Sequence, residues 1–377
     1  MYYNRHSYMK KNIKVVFVSR RFPPSIGGME KFAYDLSQSL SEGVDYFKVI
    51  AWGGSNRFIV LIAPLLFFRS LYYAVFSNCD VIHIQDALLS PVGWLLHFIT
   101  RKPYIVVTHG LDVTFDNKIY QKFIPWFLKQ ASAVIAISNA TADEVVKRGI
   151  SREKVFFIPL GIKEAAVKDR KNKKQLGQAL NINHLEDRVL LLTLGRLVKR
   201  KGVDWFVNNC LVDIIKECPN IMYIIAGEGA DREVIERSIE EKELKPYVSV
   251  VGAIDENTKR QLYASCDIFV MPNIIVRGDM EGFGIVAHEA AVAGLPVVAS
   301  NIEGIADALT NGKNGILVKS GERSTFVREI VKLAHSSEAR TSFGNKARKY
   351  TLNKFNWTAV ANKYIKVYDQ IARKEPS

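Results

Sequence analysis

Twelve short apolar runs, each followed by a segment of helix length, constrain this chain more than any other feature. The first six are Ile13–Val18, Phe47–Ala51, Val81–Ile84, Tyr104–Thr108, Ala133–Ile137 and Val155–Ile158. The second six are Val189–Leu194, Met222–Ala226, Val248–Val251, Ile268–Met271, Pro296–Ala299 and Gly315–Val318. Runs that are apolar throughout, rather than alternating, predict strands buried on both faces of a parallel sheet, with the intervening helices as cover. Between the two series, Lys163 to Asp187 is charged, polar and without a clear period, and reads as a linker. The expectation is therefore α/β, with two Rossmann-like doubly wound domains. Ligands of such sheets bind at the carboxyl ends of the strands, which places the expected site in a cleft where the two domains face each other. A chain of 377 residues has material for two cores. Helices are expected at Glu30–Ser41 and Asn139–Arg148, the latter capped by Ser138, and the last helix at about Trp357–Ala372.

Charge and cysteine content narrow the function classes. The net charge is +14. Up to Leu160 there are 19 Lys/Arg against 11 Asp/Glu, so the excess lies in the first half. Such an excess suits nucleic acid, an anionic membrane or an anionic substrate, or is solubility charge alone. The four cysteines form no Cys-x-x-Cys pair or disulfide pattern, which makes the reducing cytoplasm the natural compartment. Ile13–Val18 reads as a strand rather than a signal-peptide core. Phe58–Phe76 approaches the length of a membrane span, but Pro64 and Arg69 interrupt it. It is expected to be a helix of the first domain. The second reading is a surface that dips into a bilayer, with Arg57 and Arg69 at the headgroups.

Candidate chemistry sits at strand ends. In Glu281-Gly-Phe-Gly-Ile-Val-Ala-His-Glu289 two carboxylates are separated by a helix mouth. Eight residues of helix rise roughly 12 Å and return to within about 80° of the same face. The free N–H groups and partial positive charge of the helix start suit an anion, and the flanking acids suit polyols. Gly195-Arg196-Leu-Val-Lys-Arg-Lys201-Gly202 follows the seventh strand and offers cations to a phosphate. Gly27-Gly28 opens a helix after the first strand, either as a tight turn or for close approach to a ligand. His109, in Thr108-His-Gly110, ends the fourth strand as a ligand contact or a structural histidine. Gly227-Glu-Gly229-Ala-Asp-Arg232 nearly spells a dinucleotide fingerprint. Its third glycine is Arg232 and no acid ends the next strand, so a nicotinamide cofactor is not expected. No Asp-x-Asp and no Gly-x-Ser-x-Gly occurs, so neither a metal on a diphosphate nor a serine nucleophile is expected.

Taken in order with Ile158-Pro-Leu-Gly161, Met271-Pro272 and Ala293-Gly-Leu-Pro-Val-Val-Ala299, these motifs resemble the retaining glycosyltransferases of family 4, which have the GT-B fold. The resemblance runs over nearly the whole chain. It implies an acceptor-binding domain over 1–162, a linker at 163–187, a nucleotide-sugar-binding domain over 188–355 and a final helix, 356–377, crossing back to the first domain. It implies sugar transfer from a nucleotide-diphosphate donor, UDP by family frequency, to a glycan or lipid-linked acceptor of cell-envelope polysaccharide or lipopolysaccharide synthesis. No cofactor, metal or nucleic acid is implied; the expected location is cytoplasmic, and the basic first half with Phe58–Phe76 adds the expectation of peripheral contact with an anionic membrane. By resemblance Glu289 holds the ribose, and Arg196 and Lys201 hold the diphosphate. Phe283, Gly284, Ile285 and Val286 line the donor, the last three through backbone N–H groups. Glu281 orients the transferred sugar, Gly28 meets the phosphate side, and His109 lies near the sugar. Glu281, His109, Lys201 and Arg196 form the catalytic set. A same-face transfer in which the leaving diphosphate helps remove the acceptor proton is favoured over a covalent adduct on Glu281. Leu160 and the long approach Asn273–Met280 depart from the commonest family forms, and His288 reads as packing. A sugar-nucleotide epimerase and an inactive sugar-nucleotide-binding subunit are the competing readings.

Overall fold

The structure is a computed structural model that describes residues 11–25, 27–55, 59–164 and 172–373. It separates into two compact units. One runs to Gly161 and resumes at Phe355; the other is Ile162–Lys354. Each is built on a six-stranded parallel sheet. All twelve expected strands form, with ends shifted by up to three residues.

In the first unit the strands are β1 (Lys11–Ser19), β2 (Val44–Ala51), β3 (Val81–Ile84), β4 (Tyr104–Thr108), β5 (Ala133–Ala136) and β6 (Val155–Phe157). Their order is β2-β1-β3-β4-β5-β6, which reverses direction between β1 and β3. Strand alternation divides the buried residues between two helical layers. Val16, Val18, Ile82, Ile84 and Val106 join one core with Ile62, Leu66 and Leu96 of the covering helices. Phe17 and His83 face the other layer, where the final helix Trp357–Ala372 lies. His83 is fully buried, Nδ1 2.6 Å from Tyr368 Oη and Nε2 2.7 Å from Gln85 Oε1. Burial lowers its pKa to about 3, so the ring is neutral. The final helix begins over Gly161, where a Cβ would lie 2.4 Å from the Trp357 indole.

In the second unit the strands are β7 (Val189–Leu194), β8 (Ile221–Ala226), β9 (Val248–Gly252), β10 (Ile268–Met271), β11 (Val297–Ser300) and β12 (Ile316–Val318). Their order is β12-β11-β10-β7-β8-β9, the arrangement of a dinucleotide-binding sheet, with its switch point between β7 and β10. The stretch read as a linker holds a helix, Lys173–Leu180, capped by Asn172. Its anchor is electrostatic: Lys173 Nζ lies 2.7 Å from Asp267 Oδ2, and that carboxylate also accepts from Leu190 N–H. A helix with Leu176 as its main apolar contact leaves no period to read. Ser138 caps its helix as expected, accepting from Thr141 N–H at 3.0 Å.

Two motifs are explained by packing. A Cβ at Gly227 would sit 1.9 Å from Gly195 O, and one at Gly229 would sit 2.1 Å from Leu197 O. The near-fingerprint thus lets the loops after β7 and β8 touch through backbone. Gly202, at φ +64°, would bring a Cβ within 2.1 Å of Pro272 O. By contrast, a Cβ at Gly28 meets nothing within 4 Å. Gly227→Ala is expected to cost on the order of 3 kcal/mol, and Gly28→Ala less than about 0.5 kcal/mol, in thermal or denaturant unfolding.

Candidate active site

The switch point of the second sheet gathers the charged residues. After β7 the chain makes a single 3-10 turn, Lys199–Lys201, closed by Gly202 in the left-handed region. After β10 it runs through Pro272 and Asn273 to Glu281. The two loops are joined by Ile274 N–H donating to Arg200 O at 2.9 Å. That junction turns Arg200 and Lys201 toward the second loop. Arg200 is buried, its Nη1 2.7 Å from Asp279 Oδ1 and its Nε 3.5 Å from Glu281 Oε2. Lys201 Nζ lies 2.6 Å from the same Glu281 oxygen, and Asn273 Nδ2 donates to it at 3.1 Å.

Two donors, Lys201 and Asn273, and the nearby Arg200 charge have a clear electrostatic result on this carboxylate. Burial pushes the Glu281 carboxyl up, but Lys201, Arg200 and Asn273 outweigh it and hold it below the usual carboxylate range. The backbone of Glu281 is fixed as well: its N–H donates to Glu303 Oε2 at 2.5 Å, and its carbonyl accepts from Gly304 N–H at 3.1 Å. Burial, together with the charge of Glu281, pushes the Glu303 carboxyl up, although the hydrogen bond from Glu281 N–H opposes the shift.

Beyond Glu281 the chain passes Gly282 and Phe283 to Gly284, at φ +81°, which starts the helix Ile285–Ala293. No side chain caps that start, so the N–H groups of the first turn are left for another acceptor. The Phe283 ring packs edge-on against His288 at 5.0 Å and is buried. Phe283 therefore offers its backbone, not its ring. His288 is buried against Ala308 O at 2.7 Å, and burial lowers its pKa to about 4, in keeping with a packing role. About one turn into the helix, Glu289 accepts from Tyr263 Oη at 3.1 Å and lies 3.6 Å from Lys259 Nζ.

Lys201, Glu281 and the helix start are thus brought to one place, with Glu289 further along the same helix. Arg196, in the same basic loop, is exposed and makes no ion pair among the described residues. The structure adds Arg200, Asn273, Asp279 and Glu303, which the motifs did not single out. In a run of Lys-Arg-Lys, only the turn geometry decides which cation points inward. Asn273, directly after Met271-Pro272, was the one legible signal.

Gly28 and His109 belong to the first unit, at the carboxyl ends of β1 and β4. Gly28 begins the helix Gly28–Ser41, while Gly27 lies against Glu30, which Arg21 holds at 3.1 Å. His109 Nε2 is 2.8 Å from Gln85 O. A carbonyl only accepts, so Nε2 carries a proton and donates. The His109 N–H donates to Asp112 Oδ1 at 2.7 Å. At the neighbouring switch point, Arg20 and Asp86 form a buried pair at 3.0 Å.

If the Lys201 charge holds Glu281 ionised, Lys201→Met should cost on the order of 3 kcal/mol at neutral pH. Because the folded pKa of Glu281 is depressed, its contribution is present above the ordinary carboxylate pKa and fades as pH falls through the depressed value. In thermal unfolding against pH, Glu281→Gln should abolish that acid-side loss, and Lys201→Met should shrink it, because the folded pKa then rises toward the ordinary value.

A family model described as glycosyl transferases group 1 matches residues 178–350. One described as glycosyltransferase family 4 matches residues 10–165. An uncharacterised glycosyltransferase, MJ1607, of Methanocaldococcus jannaschii is 25% identical over 94% of this chain and 98% of its own length. The capsular polysaccharide biosynthesis glycosyltransferase CapM of Staphylococcus aureus is 23% identical over 75% of this chain and 74% of its own. Among solved structures, Anabaena Alr3699/HepE in complex with UDP superposes with a TM-score of 0.75 at 19% identity, over 95% of this chain and all of that one. It has also been solved with UDP-glucose. With its two sheets, its switch-point site and models matching both halves, the chain belongs to the group 1, family 4 glycosyltransferases of the GT-B fold, and is a configuration-retaining, metal-independent hexosyltransferase that uses a nucleotide sugar.

Proposed function

We propose that the donor is a UDP-sugar bound at the switch point of the second unit, and that the sugar passes to a glycan or lipid-linked acceptor in envelope polysaccharide synthesis. The observation that carries the donor site is the Lys201–Glu281 contact at 2.6 Å beside an uncapped helix start. A diphosphate needs positive charge and free N–H groups without bulk solvent, and both meet there. UDP is favoured because HepE was solved with it. The envelope role is favoured by relatives such as CapM.

In this reading Lys201 and Arg196 neutralise the diphosphate, Arg196 being exposed and free to swing in. The N–H groups of Gly284, Ile285 and Val286 donate to phosphate or sugar oxygens. Glu289 takes the ribose hydroxyls on carboxylate oxygens already oriented by Tyr263. Glu281 orients the hydroxyls of the transferred sugar. Its engagement with Lys201 and Asn273 suits a fixed acceptor of hydrogen bonds better than a nucleophile. The anomeric carbon–phosphate oxygen bond breaks while the acceptor oxygen bonds on the same face, and the acceptor proton passes to the leaving phosphate. For Gly28 and His109 the proposal rests on the family resemblance alone.

UDP at a hundred times its Kd should stabilise the folded chain by about 2.7 kcal/mol, read as a thermal shift. Glu289→Ala and Lys201→Met should each remove most of that shift, and transfer should fall by at least about a hundredfold on loss of the Lys201 charge. Stabilisation by another nucleoside diphosphate but not UDP would reassign the base. An epimerised donor formed without any acceptor would replace transfer by epimerisation. A glycosyl adduct trapped on Glu281 would overturn the same-face route.

A further inference from the structure

On the first unit, three helices share an apolar face left exposed among the described residues. They are Ile59–Phe76, Ser90–Thr100 and Lys118–Gln130. The first packs on β1 and β2, the second on β3 and β4, and the second lies between the other two. Each helix is divided lengthwise. In Ile59–Phe76, Ile62, Leu66 and Ala74 are buried, whereas Leu61, Leu65, Phe68, Tyr72 and Phe76 form one exposed stripe at three- and four-residue spacing. Phe68 is 66% exposed and Phe76 75%. Phe98 and Ile99 continue the face on the second helix, and Ile119, Phe123 and Trp126 on the third. Trp94 joins those two helices, its ring 5.4 Å from Trp126.

Scattered exposed apolar residues are ordinary, but this is an ordered stripe on each of three neighbouring helices. Its charges have one sign. The three helices carry Arg69, Lys118, Lys122 and Lys129 and no Asp or Glu. Arg101 follows directly on the second helix, its guanidinium 5.5 Å from the Phe98 ring. Lys122 Nζ lies 5.9 Å from the Phe123 ring. Aromatic rings with cations beside them suit the boundary of a bilayer, where the rings enter the acyl edge and the cations meet phosphates. Among the described residues no helix is long and apolar enough to cross a membrane. These helices also use their opposite sides for the core, which restricts them to lying on a surface.

We infer that this three-helix face is a docking surface for an anionic lipid bilayer. The charge complementarity selects that occupant over a second copy of the chain, since two such faces would bring like charges together. The inference is independent of the donor and acceptor assigned above.

Flotation of the full chain with phosphatidylglycerol or phosphatidylcholine vesicles tests it. The chain should float with the anionic vesicles at low salt, bind the neutral ones far less, and lose binding as salt rises. Phe68→Ser combined with Phe76→Ser and Phe123→Ser should lower anionic binding by at least about tenfold. Lys118→Gln with Lys122→Gln should lower it roughly fivefold per cation. The substituted side chains are exposed, so the melting temperature should hold, and UDP-induced stabilisation should be unchanged in both variants. Absence of flotation with anionic vesicles at low salt would overturn the inference. So would binding that survives both variants, or a concentration-dependent dimer dissolved by the serine substitutions.

Discussion

Glu281 is a charged carboxylate in a place from which water is largely removed, and the rest of the site follows from how that charge is kept. Lys201 and Arg200 arrive from the loop after β7, and Asn273 from the loop after β10. An isolated carboxylate there would take up a proton. With its partners it stays ionised and becomes a crosslink between the two loops that meet at the switch point. Gly202 is the backbone condition for this, because any Cβ there would strike Pro272 O and separate the loops.

The same crosslink makes Lys201 a shared resource. Its ammonium neutralises Glu281, three residues before the uncapped helix start at which a diphosphate is proposed to sit. Arg200 is committed to Asp279 and Glu281, so it sustains Glu281 when Lys201 turns toward phosphate. The two cations of one turn therefore differ: Arg200 is tied to Asp279 and Glu281, whereas Lys201 contacts Glu281 and is the one proposed to reach the diphosphate. Glu289 is held separately, through Tyr263 and Lys259 from the helix Glu256–Ser265.

The sheets were legible because buried parallel strands are apolar at every position, and Tyr104–Thr108 or Ile268–Met271 can be read with no partner in view. The Glu281–Glu289 segment was legible because glycines at a helix mouth and two flanking acids are local features. Arg200 was not: Lys199, Arg200 and Lys201 have the same charge, and the 3-10 turn that buries the middle one is closed by contact with Pro272, seventy residues further on. Glu303 was hidden for a similar reason, since its partner is the backbone N–H of Glu281. The helix Lys173–Leu180 was hidden because Lys173 and Asp267, rather than an apolar stripe, attach it. The exposed face of Ile59–Phe76 was visible only as hydrophobicity, and its extension over two further helices needed the fold.

Lys201 is proposed to couple Glu281 to the diphosphate. A double-mutant cycle of Lys201→Met and Glu281→Gln, with UDP affinity read by calorimetry, tests it most directly. Lys201→Met should weaken UDP by about a hundredfold, in line with the loss of a close charge pair. Glu281→Gln should tighten UDP several-fold by releasing Lys201, and that gain should vanish in the Lys201→Met background, so that the double variant binds as weakly as Lys201→Met alone. Undiminished affinity in Lys201→Met, or independent and additive losses in the two variants, would contradict the account.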